Sequence, residues 1–297
     1  MHSSWPTPES GSQTTPGALF VVSTPIGNLE DITLRALNTL KIVDLIAAED
    51  TRHTRQLLTA HGITNTLISY HEHNEQKRTP ELIDRLIRGQ RIALVTNAGT
   101  PLVSDPGYRL VLAAVNENIP VTPIPGVCAA VTALSVSGLP TDRFTFVGFP
   151  HRKKARRIEQ LRELAPLPHV LVFYQAPRRL IPFLEELGET LGDRHAVVAR
   201  EMTKIHEEFL RGKLSEILAA VKQRDTVKGE CTVAVNGAAP ESDDPEEGLD
   251  AAIEEALKHA QDPLSATAKA LARQFGIPRK TVYEKALRLR GDRAEEE

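Results

Sequence analysis

Between Leu19 and Ile124, short apolar runs alternate with amphipathic stretches, and this alternation constrains the fold more than any other feature of the chain. The runs Leu19–Ser23, Val43–Ala48, Leu67–Tyr70, Arg91–Thr96 and Val121–Ile124 are too short for helices and read as strands buried on both faces. Helices are expected between them. Asp31 is expected to cap the first, with Ile32, Leu37 and Leu40 turned inward. A short helix should run to Ala60. Thr79-Pro80-Glu81 reads as a helix start, with Leu82, Ile83, Leu86 and Ile87 on its buried side and a stop at Gly89. Tyr108 to Asn118 reads as a further helix. Strands separated by helices predict a parallel sheet with right-handed crossovers, an α/β fold.

The strand ends then become informative. They run into Thr24-Pro25-Ile26-Gly27-Asn28, Glu49-Asp50-Thr51-Arg52-His53, His71-Glu72-His73-Asn74 and the eleven-residue loop Asn97 to Gly107, which holds two Gly and two Pro. Ligands of open α/β sheets bind beyond the carboxyl ends of the strands. Strong turn chemistry alone accounts for the same residues. Neither the G-x-G-x-x-G dinucleotide fingerprint after the first strand nor a P-loop is present.

The reading changes at Pro125-Gly126, taken as a boundary between an N-terminal α/β domain (18–124) and a C-terminal α/β domain (125–237). Val127 to Ser137 reads as a helix of small residues. Strand-like runs follow at 144–149, 169–174, 195–200, 207–211 and 230–236, with helical stretches near 153–164, 178–191 and 213–222; the shorter spacings predict a mixed sheet. Residues 1–17, rich in Ser, Thr, Pro and Gly, read as a disordered leader and not a secretory signal. Residues 238–262 read as an acidic linker, with eight acids and no base between Glu241 and Glu255. Residues 263–297 read as a basic tail resembling a helix-turn-helix, to contact nucleic acid or simply to pack.

A net charge of −3 leaves no whole-molecule attraction to nucleic acid, so any basic site is local. Two isolated cysteines, Cys128 and Cys231, exclude a disulfide framework and suit a reducing compartment, and no apolar run reaches the ~20 residues of a membrane span. A cytoplasmic protein without membrane attachment is expected. Four constellations stand out. Glu49, Asp50, Arg52 and His53 could position a hydroxyl and accept its proton, or form a charged loop with internal ion pairs. His71 and His73 would share a strand face, but no third ligand lies nearby. Polar contact with a substrate or neighbouring subunit, through His71 and Asn74, is expected rather than a metal. Arg152, Lys153, Lys154, Arg156 and Arg157 form a cluster suited to phosphates, or a solvated helix start; Arg178 follows the next strand in a similar place. Gly229, between Lys228 and Glu230, permits close backbone approach to a ligand or a tight hairpin.

In order along the chain, Thr24-Pro25-Ile26-Gly27-Asn28-Leu29, Ala48-Glu49-Asp50-Thr51-Arg52, His73-Asn74-Glu75, Ala98-Gly99-Thr100-Pro101 with Ser104-Asp105-Pro106-Gly107, Pro125-Gly126 with Cys128-Ala129-Ala130, and Arg200-Glu201-Met202-Thr203-Lys204 resemble the ribosomal RNA small-subunit methyltransferase I family, of the tetrapyrrole-methylase-like class III S-adenosylmethionine (SAM) methyltransferases. The resemblance spans roughly 18–237 and includes the basic tail. It implies two α/β domains with SAM in the cleft between them, a homodimer, and 2′-O-methylation of a cytidine ribose in the decoding region of small-subunit ribosomal RNA, acting on assembled 30S subunits. It places Pro25, Gly27, Asn97, Ala98, Gly99, Thr100, Pro101, Ala129, Ala130, Phe173, Tyr174, Gln175, Lys228 and Gly229 around SAM, and adds Lys204 to the RNA-contacting set. Apart from the resemblance, the place of the Glu49-Asp50-Arg52-His53 loop on the same strand-end face as the SAM loop predicts that Glu49 or Asp50 accepts the proton and that Arg52 grips phosphate.

The chain departs from the family pattern at two carboxylates. Thr96-Asn97 stands where a Ser-Asp pair is usual, and Phe173-Tyr174-Gln175 where Phe-Tyr-Glu is usual. Both amides still accept hydrogen bonds, but the cleft loses two negative charges. A small-molecule methylase of the same fold and a non-catalytic nucleic-acid-binding protein are the competing functions. The basic cluster argues against the first; SAM binding would exclude the second.

Overall fold

Five strands of near-continuous aliphatic sequence build the first sheet: β1 (Ala18–Val22), β2 (Leu45–Ala48), β3 (Leu67–Ser69), β4 (Arg91–Val95) and β5 (Val121–Ile124). All pair in parallel, in the order β3-β2-β4-β1-β5. Alternate residues of each strand enter opposite layers. In β4, Ala93 and Val95 pack with Leu40 of α1 (Leu34–Ile42) and Leu58 of α2 (Thr51–Ala60). Ile92 and Leu94 pack with Leu82 and Leu86 of α3 (Glu75–Ile87) and Leu110 and Ala114 of α4 (Tyr108–Asn116). Both faces are covered, as an all-parallel sheet requires.

The described residues are 17–239, 249–258 and 264–294 of this computed structural model, so most of the expected leader lies outside them. Two helix starts differ from expectation. Asp31 ends a short 3-10 turn, Leu29–Asp31, and the cap of α1 is Thr33, whose hydroxyl accepts the Ala36 N–H at 3.1 Å. Helix α3 begins at Glu75, so Thr79 and Pro80 lie inside it. The Thr79 hydroxyl donates to the Glu75 carbonyl (2.7 Å) and meets the Tyr70 hydroxyl (3.0 Å). Proline without an N–H is tolerated near a helix start, which is why the motif reads the same one turn too late.

The second sheet contains β6 (Phe144–Gly148), β7 (Val170–Gln175), β8 (His195–Arg200), β9 (Glu208–Lys213) and β10 (Cys231–Val235), ordered β6-β7-β10-β8-β9. Only β6 and β7 are parallel; the sheet is mixed. One face packs against α6 (Lys154–Leu164), α7 (Leu180–Leu191) and α8 (Leu214–Lys222) through Leu161, Phe183, Leu187, Ile217 and Val221. The other receives α5 (Ala129–Ser135) through Ala130 and Leu134 against Val170, Val172 and Ala234. Both sheets belong to one compact unit ending at Ala238.

A second unit follows. Helices α9 (Leu249–Lys258), α10 (Leu264–Phe275) and α11 (Arg279–Ala294) enclose Leu249, Ile253, Ala268, Leu271, Ile277, Val282 and Ala286. Helix α9 falls in the stretch expected to be linker. Its Leu249 and Ile253, spaced four apart among acids, are wholly buried. A turn through Gly276 separates α10 from α11, as the tail's pattern predicts. No described helix is long and apolar enough to cross a membrane.

Candidate functional site

The loop after β4 is locked to the loop after β1. Thr24 and Gly99 exchange backbone hydrogen bonds at 2.9 and 3.0 Å, and the Thr24 hydroxyl donates to the Thr96 carbonyl at 3.1 Å. The Ser23 hydroxyl meets that of Thr100 at 3.0 Å; Thr100 in turn donates to the Val127 carbonyl at 3.0 Å, tying in the segment before α5. Beyond this anchor Leu102 (φ 72°) and Ser104 (φ 65°) adopt left-handed backbone without being glycine. Such strain persists only where surrounding structure enforces it, and it clusters at functional sites.

A cleft of about 350 Å³ opens between this loop and the second sheet. Ile26, Ala98, Gly99, Thr100, Val103, Ser104 and Asp105 form one wall. Cys128, Ala129, Phe149, Tyr174, Gln175, Ala176, Pro177, Met202, Glu230, Cys231 and Thr232 form the other. Its size and largely apolar lining with a few polar groups suit a small organic ligand. Burial, followed by the nearby Glu49 carboxylate, pushes Asp105 up to about 7. Burial also raises the Tyr174 phenol, whose oxygen accepts the Ala130 N–H at 3.2 Å while its ring stands edge-on to Phe146 and Phe149. Burial pushes the Cys231 thiol up to about 11.

The segment Glu201–Lys204 joins the cleft's two sides like a clasp. Glu201 and Thr203 have φ of 50° and 66°. Glu201 Oε1 accepts from Lys204 Nζ at 2.8 Å and from the Glu230 N–H at 2.9 Å, and Lys204 Nζ also reaches Glu230 Oε2 at 3.0 Å. Thr203 Oγ1 accepts the Asn28 N–H at 3.1 Å. A Cβ on Gly229 would lie 2.2 Å from Glu201 Cγ, and one on Gly27 would lie 2.5 Å from Lys204 Cγ. Both glycines therefore make room for the clasp. Met202, between its two strained residues, is buried and lines the cleft.

The structure brings Ala98, Gly99, Thr100, Ala129, Tyr174 and Gln175 to the cleft. Others expected there are elsewhere. Phe173 is wholly buried against Phe183, because successive residues of a strand face opposite sides. Ala130 packs beneath the second sheet. Pro25 and Pro101 are buried outside the lining, and Gly27 and Gly229 serve the clasp. The Lys228 carbonyl accepts from Arg200 Nη1 at 3.1 Å. Asn97 gives its N–H to Glu49 Oε2 at 3.0 Å, and its buried Oδ1 has no partner among the described residues.

Asp50 caps α2 by accepting the Arg52 N–H at 2.8 Å, and it pairs with the Arg52 guanidinium at 3.0 Å. That contact holds its carboxyl at about 2, which makes it a poor proton acceptor. Arg52 and His53 are exposed at the start of α2, and none of the four expected catalytic residues lines the cleft. His71 and Asn74 form a local turn: Asn74 Oδ1 accepts the His71 N–H at 2.9 Å, and its amide nitrogen lies 3.2 Å from His71 Nε2. No cluster of potential metal ligands occurs among the described residues.

Arg152, Lys153, Lys154, Arg156 and Arg178 are exposed. Arg157 is not available to phosphate: it forms a bidentate pair with Glu186 at 2.6 and 2.7 Å, both side chains largely buried. Lys204 is likewise consumed by Glu201 and Glu230. Asp105 and Met202 escaped the expected site, whereas Glu230, in the turn expected near SAM, does line the cleft. Asp105 was visible in Ser104-Asp105-Pro106-Gly107, where it reads as a turn residue.

Residues 18–218 match the family described as Tetrapyrrole (Corrin/Porphyrin) Methylases. A ribosomal RNA small subunit methyltransferase I of Micromonospora olivasterospora is 45% identical over 276 residues, covering 93% of this chain and 87% of the relative. One of Escherichia coli O157:H7 is 46% identical over 279 residues, covering 93% and 96%. Among solved structures, a uroporphyrin-III C-methyltransferase of Thermus thermophilus complexed with S-adenyl homocysteine superposes with a TM-score of 0.52 at 20% identity, covering 75% of this chain and 98% of that one.

Proposed function

Because this chain belongs to the ribosomal RNA small subunit methyltransferase I family, we propose that it transfers a methyl group from SAM to the ribose 2′-hydroxyl of a cytidine in the decoding region of small-subunit ribosomal RNA. The supporting observation is the cleft whose walls come from the strand-end loop of one sheet and the β7 and β10 ends of the other. Its residues fit SAM. Phe149, Tyr174 and Met202 offer apolar and aromatic surface to an adenine ring; Thr100, Ser104 and Gln175 offer hydrogen bonds to hydroxyl and amino groups. Bound SAM supplies an electrophilic methyl on a sulfonium. The protein must then align a hydroxyl with it and exclude water.

Arg152, Lys153, Lys154 and Arg156, exposed at the start of α6, and Arg178, after β7, are the phosphate-contacting set in this reading. The working form is a homodimer acting on assembled small subunits; Leu34 and Ile205, 79% and 97% exposed, are apolar side chains that a second copy would cover. The test is to map 2′-O-methyl groups in ribosomal RNA with and without the gene, alongside calorimetric titration of the pure protein with SAM. One cytidine losing its modification supports the reading; an unchanged pattern removes it.

A further inference from the structure

We infer that Asp105, which lines the cleft, accepts the proton of the methylated hydroxyl, and that Glu49, anchored on the Asn97 N–H, is the positioning residue behind it. The inference rests on the methyl-transfer reading above and deepens it. Two carboxylates line the cleft, Asp105 and Glu230. Glu230 is spoken for by Lys204 at 3.0 Å. Asp105 has no ion pair among the described residues, and it sits just past the two left-handed residues of its loop, where backbone strain fixes its direction. Glu49 arrives from the end of β2 and is anchored by the Asn97 N–H, so its charge has a fixed place.

Among the described residues, the groups facing Asp105 include no free cation. Glu49 approaches from the first sheet, Tyr174 from β7 and Cys128 from the residue before α5; across the cleft lies Glu230, paired with Lys204, whose ammonium Glu201 shares. Burial and Glu49 together lift Asp105 to about 7, where a carboxylate is both substantially ionised at neutral pH and basic enough to take a proton. The raised phenol of Tyr174 stays protonated there and cannot do this work. In the step itself, a lone pair of the ribose oxygen forms the new bond to the methyl carbon as the carbon–sulfur bond breaks. The bonding pair goes to sulfur, which becomes a neutral thioether, and the hydroxyl proton goes to the Asp105 carboxylate.

Single-turnover methyl transfer from SAM to unmodified small subunits, measured with the full chain across pH 5.5–9, tests this. The wild type should show an acid limb near pH 7. Asp105→Asn should lower the rate by about 10²–10⁴-fold while the calorimetric SAM affinity stays within a few-fold, and Asp105→Glu should recover part of the rate. Glu49→Gln, which still accepts the Asn97 N–H, should move the acid limb to lower pH because a negative neighbour has gone. Asp105→Asn turning over within threefold of wild type, or an acid limb unmoved in Glu49→Gln, overturns the inference and leaves the methyl-transfer reading intact. A wild type that binds SAM but methylates no ribosomal RNA overturns both.

Discussion

Gly229→Ala probes the clasp directly. The new Cβ would fall 2.2 Å from Glu201 Cγ and 2.3 Å from its Cδ, on a backbone with φ of 87°. Left-handed backbone costs a non-glycine residue about 1 kcal/mol. The clash is not with the loose end of a side chain. Glu201 is 19% exposed and held by Lys204 and the Glu230 N–H, so displacing it forfeits charge-assisted hydrogen bonds of about 2 kcal/mol. The single substitution should therefore cost about 3 kcal/mol, and Glu201→Ala alone about 2 kcal/mol. In the double variant there is no side chain left to displace, and only the backbone cost is added. Its total should be about 3 kcal/mol, not the ~5 kcal/mol of independent effects, a coupling of about 2 kcal/mol. Urea unfolding of the four proteins, extrapolated linearly to water, measures each value. Additivity within ~0.5 kcal/mol would refute the idea that Gly229 exists to admit Glu201.

Three further outcomes are expected. Asn97→Asp should keep or tighten calorimetric SAM binding, since SAM is cationic; tenfold weakening would show that the cleft depends on the amide. Replacing Arg152, Lys153, Lys154 and Arg156 by Ala should weaken RNA binding and flatten its log–log salt dependence by about 3, whereas Arg157→Met should lower stability and leave the salt slope unchanged; a flattened slope in Arg157→Met would contradict its burial against Glu186. Arg224 and Arg200 hold Glu208 at about 2, below the ordinary 4.5, so its stabilisation is complete above about pH 4.5 and is lost as pH falls towards 2. Glu208→Gln should therefore unfold at lower urea than wild type at pH 6, with the gap closing at pH 3; a constant gap would mean that the pair contributes nothing.

The first sheet was legible because burial on both faces writes strands as short aliphatic runs, and turn residues separate them from helices. Strand order was not legible: which of five similar edges meet is decided by packing of Leu40, Leu82 and Leu110 from helices far apart in sequence. The cleft was half legible. Ala98 to Thr100 declared themselves through Gly and Pro. Phe173 and Tyr174, adjacent in one motif, point to opposite faces, and a linear motif does not record which. Charge was the least reliable guide. Arg157 sits within a run of five bases, yet its burial depends on Glu186 twenty-nine residues away. Lys204 is neutralised by partners that only the fold assembles. In the acidic stretch after Glu241, the two apolar residues of α9 were outnumbered in the composition, although they decide the packing.

The Thr24–Gly99 bridge carries a consequence for the order of events in the protein's life. The ligand-facing loop takes its shape from the hydrogen bonds of an isolated antiparallel bridge just beyond the ends of the parallel strands β1 and β4. The two strand-end loops shape each other as the chain folds, before any ligand arrives. SAM would meet a wall that has already given up its conformational entropy during folding, so little of its affinity is spent on ordering that wall. The amide hydrogens of Thr24 and Gly99 should accordingly exchange with solvent only through global unfolding, and SAM should slow them by the same factor as the slowest core amides, in contrast to ordinary surface loops.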